Sequence, residues 1–173
     1  MSTLGFVGYP GTGKDAIAQE LVDNFGYERV AFGDAVKDML LSVDPVYKKD
    51  LSVLEYFKRR DLEFTREKLQ NIGQWMRDLD EDFWVRRVEE LGIPPKAVFT
   101  DLRYANELAY VQRYCGGLIF GINRTGHGPV NDHTSEQNTT ELLTYVDHDI
   151  QNDSTIGQAA QDIIHHAENR IRL

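Results

Sequence analysis

Residues 8–15 read Gly8-Tyr9-Pro10-Gly11-Thr12-Gly13-Lys14-Asp15, a spacing of glycines and a lysine suited to gripping phosphate. In the pattern G-x-x-x-x-G-K-[ST], successive backbone N–H groups surround a chain of phosphates. Gly11 and Gly13 allow left-handed backbone angles and close approach of oxygen atoms. Lys14 is placed to reach the β- and γ-phosphates. Gly11, Thr12, Gly13 and Lys14 are therefore the candidate ligands of a nucleoside triphosphate. Asp15 departs from the pattern, which usually has Ser or Thr there to ligate Mg²⁺. A carboxylate can hold Mg²⁺ directly or through water. It can equally be an acid in the first turn of a helix, where the dipole favours it.

A second acid follows an apolar run in Phe99-Thr100-Asp101-Leu102-Arg103. Asp101 at a strand end suits a group aimed at Mg²⁺ or at an attacking oxygen. A helix N-cap is the other reading, since Asp caps well.

The elements that must position these groups alternate between strand and helix. Leu4–Val7 reads as a buried strand, and Ile17, Leu21 and Phe25 recur at helical spacing before Gly26. The phosphate loop thus lies between a strand and a helix N-terminus, where anions bind well. Arg29–Phe32 reads as a second strand, with Gly33-Asp34 opening a helix through Lys37. From about 46 to 91 the chain is charged, aromatic and helical in pattern, and Gly92-Ile93-Pro94-Pro95 breaks it. Strands are expected over Ala97–Thr100, Leu118–Ile122 and Asp147–Ile150, and a last helix from Ile156. Thr125-Gly126-His127-Gly128-Pro129 reads as a mobile segment. This alternation predicts an α/β fold with a mainly parallel sheet covered on both faces. Ligands bind such sheets beyond the strand C-termini, where the loop, Asp101, Arg124 and Asn152 all fall.

The 173 residues suit one domain, and 41% hydrophobic and 27% charged residues are globular values. A net charge of -9 argues against a general nucleic-acid binder. Cys115 is the lone cysteine, which excludes an intrachain disulfide and a cysteine zinc cluster. No apolar run approaches the roughly 20 residues that cross a membrane, and no signal peptide is evident. The expected location is the cytoplasm.

The chain resembles the deoxynucleoside monophosphate kinases of tailed bacteriophages. Their loop ends Gly-Lys-Asp, as in Gly13-Lys14-Asp15. Their Gly-x-x-x-Lys-Asp segment is matched by Gly33 and Lys37-Asp38. Their Arg-x-x-x-Gln-x-x-Gly helix and Trp-Val pair are matched by Arg66, Gln70, Gly73 and Trp84-Val85. An Asp-x-Arg then Glu segment is matched by Asp101, Arg103 and Glu107. A strand ending in Arg, then His-x-x-Glu, is matched by Arg124 and His133-Glu136. Asn-Asp before the last helix is matched by Asn152-Asp153.

The resemblance implies a three-layer P-loop kinase fold in a single domain over residues 1–173. It implies a helical substrate-binding insertion at about 33–92 and a lid at about 123–136. The implied reaction moves the ATP γ-phosphoryl group to a deoxynucleoside 5′-monophosphate, with Mg²⁺. Lys14 and Arg124 would neutralise transition-state charge, and Asp101 would position metal water or polarise the acceptor. Lys37, Arg66 and Arg103 would hold the acceptor phosphate, with Gln70 and Gly73 in the same matched segment. Trp84 would stack on the acceptor base, and Asn152 would touch adenine. Surface ion pairing is the competing reading for Lys37 and Arg66, and core packing for Trp84. A homodimer is also implied, in the host cytoplasm if the chain is phage-encoded. Competing functions keep the fold and change the acceptor to phosphomevalonate, dephospho-coenzyme A or a sugar acid, or replace catalysis with a nucleotide-dependent switch.

Overall fold

The computed structural model describes residues 3–43, 62–129 and 134–170. They form two compact units, Met1–Val30 with Ile93–Leu173, and Ala31–Gly92.

The first unit is built on a five-stranded sheet of order β2-β3-β1-β4-β5. The strands are β1 (Leu4–Val7), β2 (Glu28–Val30), β3 (Ala97–Phe99), β4 (Leu118–Asn123) and β5 (His148–Gln151). Every neighbouring pair is parallel. β1 and β3 are buried throughout, so their apolar runs are continuous, as strands covered on both faces require. Edge strand β2 exposes Glu28 and Arg29, charges that discourage pairing with another chain.

Helix α1 (Lys14–Phe25) packs on the sheet beside the C-terminal helix Ile156–Arg170. Ile17, Ala18 and Leu21 of α1 meet Leu4, Phe6, Val98, Phe120 and Ile122 of the strands in one core. Ala159, Ala160, Ile163 and Ala167 of the C-terminal helix complete it, the three alanines allowing close approach. After β3 a short helix (Ala105–Ala109) runs into a π-helical turn (Tyr110–Tyr114), marked by Cys115 N–H bonding to the Tyr110 carbonyl.

At the β5 edge, His148 and His166 stack with ring centroids 4.1 Å apart, and His148 also stacks on Phe120 at 5.5 Å. Burial holds the His166 imidazole below its ordinary range, with the nearby His148 and His165 adding to the effect and Asp162 opposing it. The folded state therefore binds this proton less readily than the unfolded chain. The contribution is complete above about pH 6.5 and is lost as pH falls through the lowered folded value. Thermal unfolding followed from pH 7.5 to 5 should show Tm declining across this range, and His166→Phe should flatten the decline while retaining a stacked ring. An unchanged slope in the variant would remove His166 from the account.

The second unit contains α2 (Phe32–Val43), α3 (Leu62–Leu79) and α4 (Phe83–Leu91). Phe32 was expected to end a strand, and instead begins α2 with a buried ring. The apolar run Val30-Ala31-Phe32 fits either element, and the Asp34 N–H bond to the Ala31 carbonyl shows that the chain has already turned. Val36 and Leu40 of α2 are buried, as are Trp84, Val85 and Val88 of α4. Trp75 is 63% exposed, so only one of the two tryptophans is a core residue. Among the described residues no helix is long and apolar enough to cross a membrane.

Candidate active site

The phosphate loop leaves β1 at the centre of the sheet and enters α1 at Gly13. Gly11 and Gly13 have φ of 81° and 95°, the left-handed angles that the sequence pattern predicts. Thr12 is buried, and its hydroxyl donates back to the Tyr9 carbonyl at 2.9 Å, so the side chain braces the loop. Lys14 is 9% exposed. Its ammonium donates to the carbonyls of Gly8 and Tyr9 at 2.6 and 2.7 Å. A buried cation is thereby held by loop carbonyls, which phosphate oxygens could replace as acceptors. The Tyr9 hydroxyl shares a 2.5 Å hydrogen bond with Thr140 Oγ1, tying the loop to the helix Thr134–Leu142.

Asn152 follows β5 and is 3% exposed. Its Nδ2 donates to the Thr12 carbonyl at 2.9 Å, and a Cβ on Gly13 would fall 2.3 Å from the same nitrogen. Asn152 is thus a brace for the phosphate loop, a role that its position in sequence could not reveal.

Asp101 follows β3. The Leu102 N–H bond to the Phe6 carbonyl places this segment alongside the end of β1, which leads into the loop. Next to it, the Thr100 hydroxyl is buried with no hydrogen-bond partner among the described residues. A buried unpaired hydroxyl costs stability, so Thr100→Val should raise stability by about 1 kcal/mol, or roughly 2–4 °C in Tm. A lower Tm in that variant would mean that the hydroxyl is satisfied. The backbone N–H groups of Arg103 and Tyr104 both donate to buried Glu107, at 2.9 and 3.2 Å. Glu107 therefore fixes the turn that presents Asp101 and Arg103.

Arg124 follows β4 and is exposed. Its segment is a hydrogen-bonded turn: His127 N–H donates to the Arg124 carbonyl at 3.1 Å. Thr125 donates to Asp153 through both its N–H (2.9 Å) and its hydroxyl (2.6 Å). These bonds, with those from Gln151 and the positive charge of Arg124, hold the Asp153 carboxyl below its ordinary range. His127, within a glycine-rich stretch, lies against Gly11.

Asp15 is exposed in the first turn of α1. Among the described residues no three His, Cys, Asp or Glu side chains converge on one point. A lone carboxylate such as that of Asp15 is an oxygen donor of the kind Mg²⁺ takes beside phosphate and water oxygens.

The other expected site residues lie in the helical unit. Lys37 is half-buried and ion-paired with Asp34 at 2.6 Å. Arg66 and Gln70 lie on α3; the Arg66 side chain is outside the described residues, as is His133. Gly73 is buried, and its carbonyl accepts from Trp84 Nε1 and Arg77, both at 3.0 Å. Trp84 is 1% exposed and lies edge-on to Phe83. With its ring enclosed and its N–H bonded, Trp84 is a core residue, which corrects the expectation that it stacks on an acceptor base. A cavity of about 620 Å³ between α2 and α4 is lined by groups such as Asp38, Phe83, Arg86 and Glu90, and by none of the expected acceptor residues.

The sheet order, the phosphate loop entering α1 and the groups gathered after β3, β4 and β5 define a P-loop kinase fold. The solved structures agree. Dephospho-CoA kinase from Campylobacter jejuni superposes with a TM-score of 0.56 at 12% identity, over 95% of this chain and 96% of that one. Shikimate kinase from Aquifex aeolicus gives 0.50 at 13% identity, over 98% of each chain. No family model matches the chain. A protein of Acanthamoeba polyphaga mimivirus described as "Putative deoxynucleotide monophosphate kinase" is 26% identical over 194 aligned positions, spanning 100% of both chains.

Proposed function

We propose that this protein transfers the γ-phosphoryl group of ATP to a deoxynucleoside 5′-monophosphate, giving the diphosphate and ADP. The observation that carries this reading is a phosphate loop ending Gly13-Lys14-Asp15 in a chain matched end to end by the mimivirus protein. In the proposed reaction, an acceptor phosphate oxygen forms a bond to the γ-phosphorus. The bond from that phosphorus to the β–γ bridging oxygen breaks, and ADP leaves. The acceptor oxygen is already ionised near neutral pH, so no strong base is needed.

Phosphoryl transfer depends on alignment and charge stabilisation, and the proposed roles follow from that. Lys14 and the backbone N–H groups of Gly11, Thr12 and Gly13 bind the phosphate chain. Arg124 stabilises charge on the transferring group. Asp15 would hold Mg²⁺, with Asp101 positioning metal water, and the metal would supply further neutralisation of the phosphate oxygens. Asn152 keeps the loop in its binding form. Arg103 contacts the acceptor phosphate, and Lys37, Arg66 and Gln70 of the helical unit are assigned to acceptor binding on the strength of the sequence resemblance.

The test is ADP formation from Mg-ATP with each deoxy- and ribonucleoside monophosphate, and with shikimate, dephospho-coenzyme A and phosphomevalonate alongside. Stimulation by one or more deoxynucleotides is expected. Stimulation by one of the other acceptors alone would overturn the acceptor assignment and keep the kinase.

A further inference from the structure

Arg124 sits on a turn whose backbone is held on both sides. Before it, the Asn123 carbonyl accepts from the Asn152 N–H at 2.8 Å, and Asn123 Nδ2 donates to Asp149 at 3.0 Å. After it, Thr125 gives both of its donors to one carboxylate: its N–H reaches Asp153 Oδ1 and its hydroxyl reaches Oδ2. Gln151 Nε2 donates to the same Oδ2 at 2.8 Å, so the carboxylate is itself held in place. Hydrogen bonds to an ionised acceptor are roughly twice as strong as neutral ones, which suits Asp153 to grip an exposed turn. The helix that follows does not need this side chain as its cap, because the Thr155 hydroxyl accepts from the Gln158 N–H at 3.2 Å. The neighbouring Asn152 side chain donates to the Thr12 carbonyl at 2.9 Å. Two consecutive side chains after β5 thus grip the Arg124 turn and the phosphate loop.

We infer that Asp153 is a positioning residue: through Thr125 it holds the turn from which Arg124 reaches the transferring phosphoryl group. The inference rests on the proposed function, in which Arg124 stabilises charge on that group. A long, exposed arginine is effective only if its guanidinium starts close to the reacting geometry, because ordering left to the moment of reaction raises the barrier. Anchoring the backbone on both sides of Arg124 leaves only its side-chain torsions to settle. Asp153 touches no reacting atom in this arrangement and acts through Arg124. Its loss should therefore appear in kcat, and should have no further effect once Arg124 is absent. Asn152 acts on the loop that binds the phosphate chain, so its loss should appear in the KM for ATP.

The test is a double-mutant cycle on the full chain, read as steady-state ADP formation from Mg-ATP with the acceptor that gives the highest turnover. Its members are the native protein, Asp153→Ala, Arg124→Ala and the double variant. Asp153→Ala should lower kcat by about ten- to a hundredfold, the usual cost of a small misplacement, with the KM for ATP nearly unchanged. In the Arg124→Ala background the same substitution should change kcat by less than about twofold, because the group it positions is gone. Should Asp153→Ala fail to fold, the same cycle run with Thr125→Val decides, with a smaller loss in the same direction. An unchanged kcat in Asp153→Ala, or an equal fall in both backgrounds, would overturn the role of Asp153 and leave the proposed function standing. Native turnover in Arg124→Ala would overturn the role of Arg124 and this inference with it. A native protein that transfers phosphoryl to no acceptor would overturn the proposed function as well.

Discussion

Lys14→Ala should reduce ADP formation by at least about a hundred- to a thousandfold. That is the usual loss when one preorganised donor to developing charge is removed. Lys14 is the buried cation of the loop, and no neighbouring lysine or arginine in residues 8–15 can take its place. The ammonium also holds the Gly8 and Tyr9 carbonyls, so part of the loss comes from a loosened loop. Lys14→Arg separates the two effects. It keeps the charge and loses the compact geometry, because a planar guanidinium cannot follow a path built for a point charge. Turnover measured beside circular dichroism is the check. A folded Lys14→Ala protein with turnover within tenfold of native would remove Lys14 from the reaction.

Gly13→Ala should damage both the stability and the function of the loop. At φ of 95° a side chain is strained, at about 1–3 kcal/mol. Its Cβ would also stand 2.3 Å from Asn152 Nδ2, forcing apart the bond to the Thr12 carbonyl. Losing a buried bond adds about 1–3 kcal/mol. The sum is roughly 2–6 kcal/mol in denaturant unfolding, with ATP binding lost in parallel. Asn152→Ala alone should cost about 1–3 kcal/mol by leaving that carbonyl unpaired. The double variant should be less destabilised than the sum, because the clash is gone and the bond to the Thr12 carbonyl is lost only once, leaving the backbone strain and one unpaired carbonyl. Strict additivity would mean that the two residues do not oppose each other.

The phosphate loop was legible because its function is carried by the backbone. Only glycine readily takes the angles found at positions 11 and 13, so those constraints appear as letters. The parallel sheet was legible because strands buried on both faces must be apolar throughout, as Leu4–Val7 and Ala97–Phe99 are. Elements whose side chains suit two environments were read less well. Phe32 is as apolar at a helix start as at a strand end. Trp84 could be core or a stacking platform, and only its burial and its bond to Gly73 decide between them. Trp75 has the same chemistry and is exposed. The brace from Asn152 to Thr12 joins residues 140 positions apart, and nothing local marks it. His127 was concealed in the same way, because its contact with Gly11 depends on how β4 and β1 are paired.

The central claim is the destination of the γ-phosphoryl group, and its most direct test is label transfer. ATP labelled at the γ-phosphate would be incubated with Mg²⁺, the native protein and each deoxynucleoside monophosphate, with Lys14→Ala as the blank. The account predicts label in the β-phosphate of a deoxynucleoside diphosphate, at an amount equal to the ADP formed. Label found only in inorganic phosphate, whichever deoxynucleotide is supplied, would contradict it.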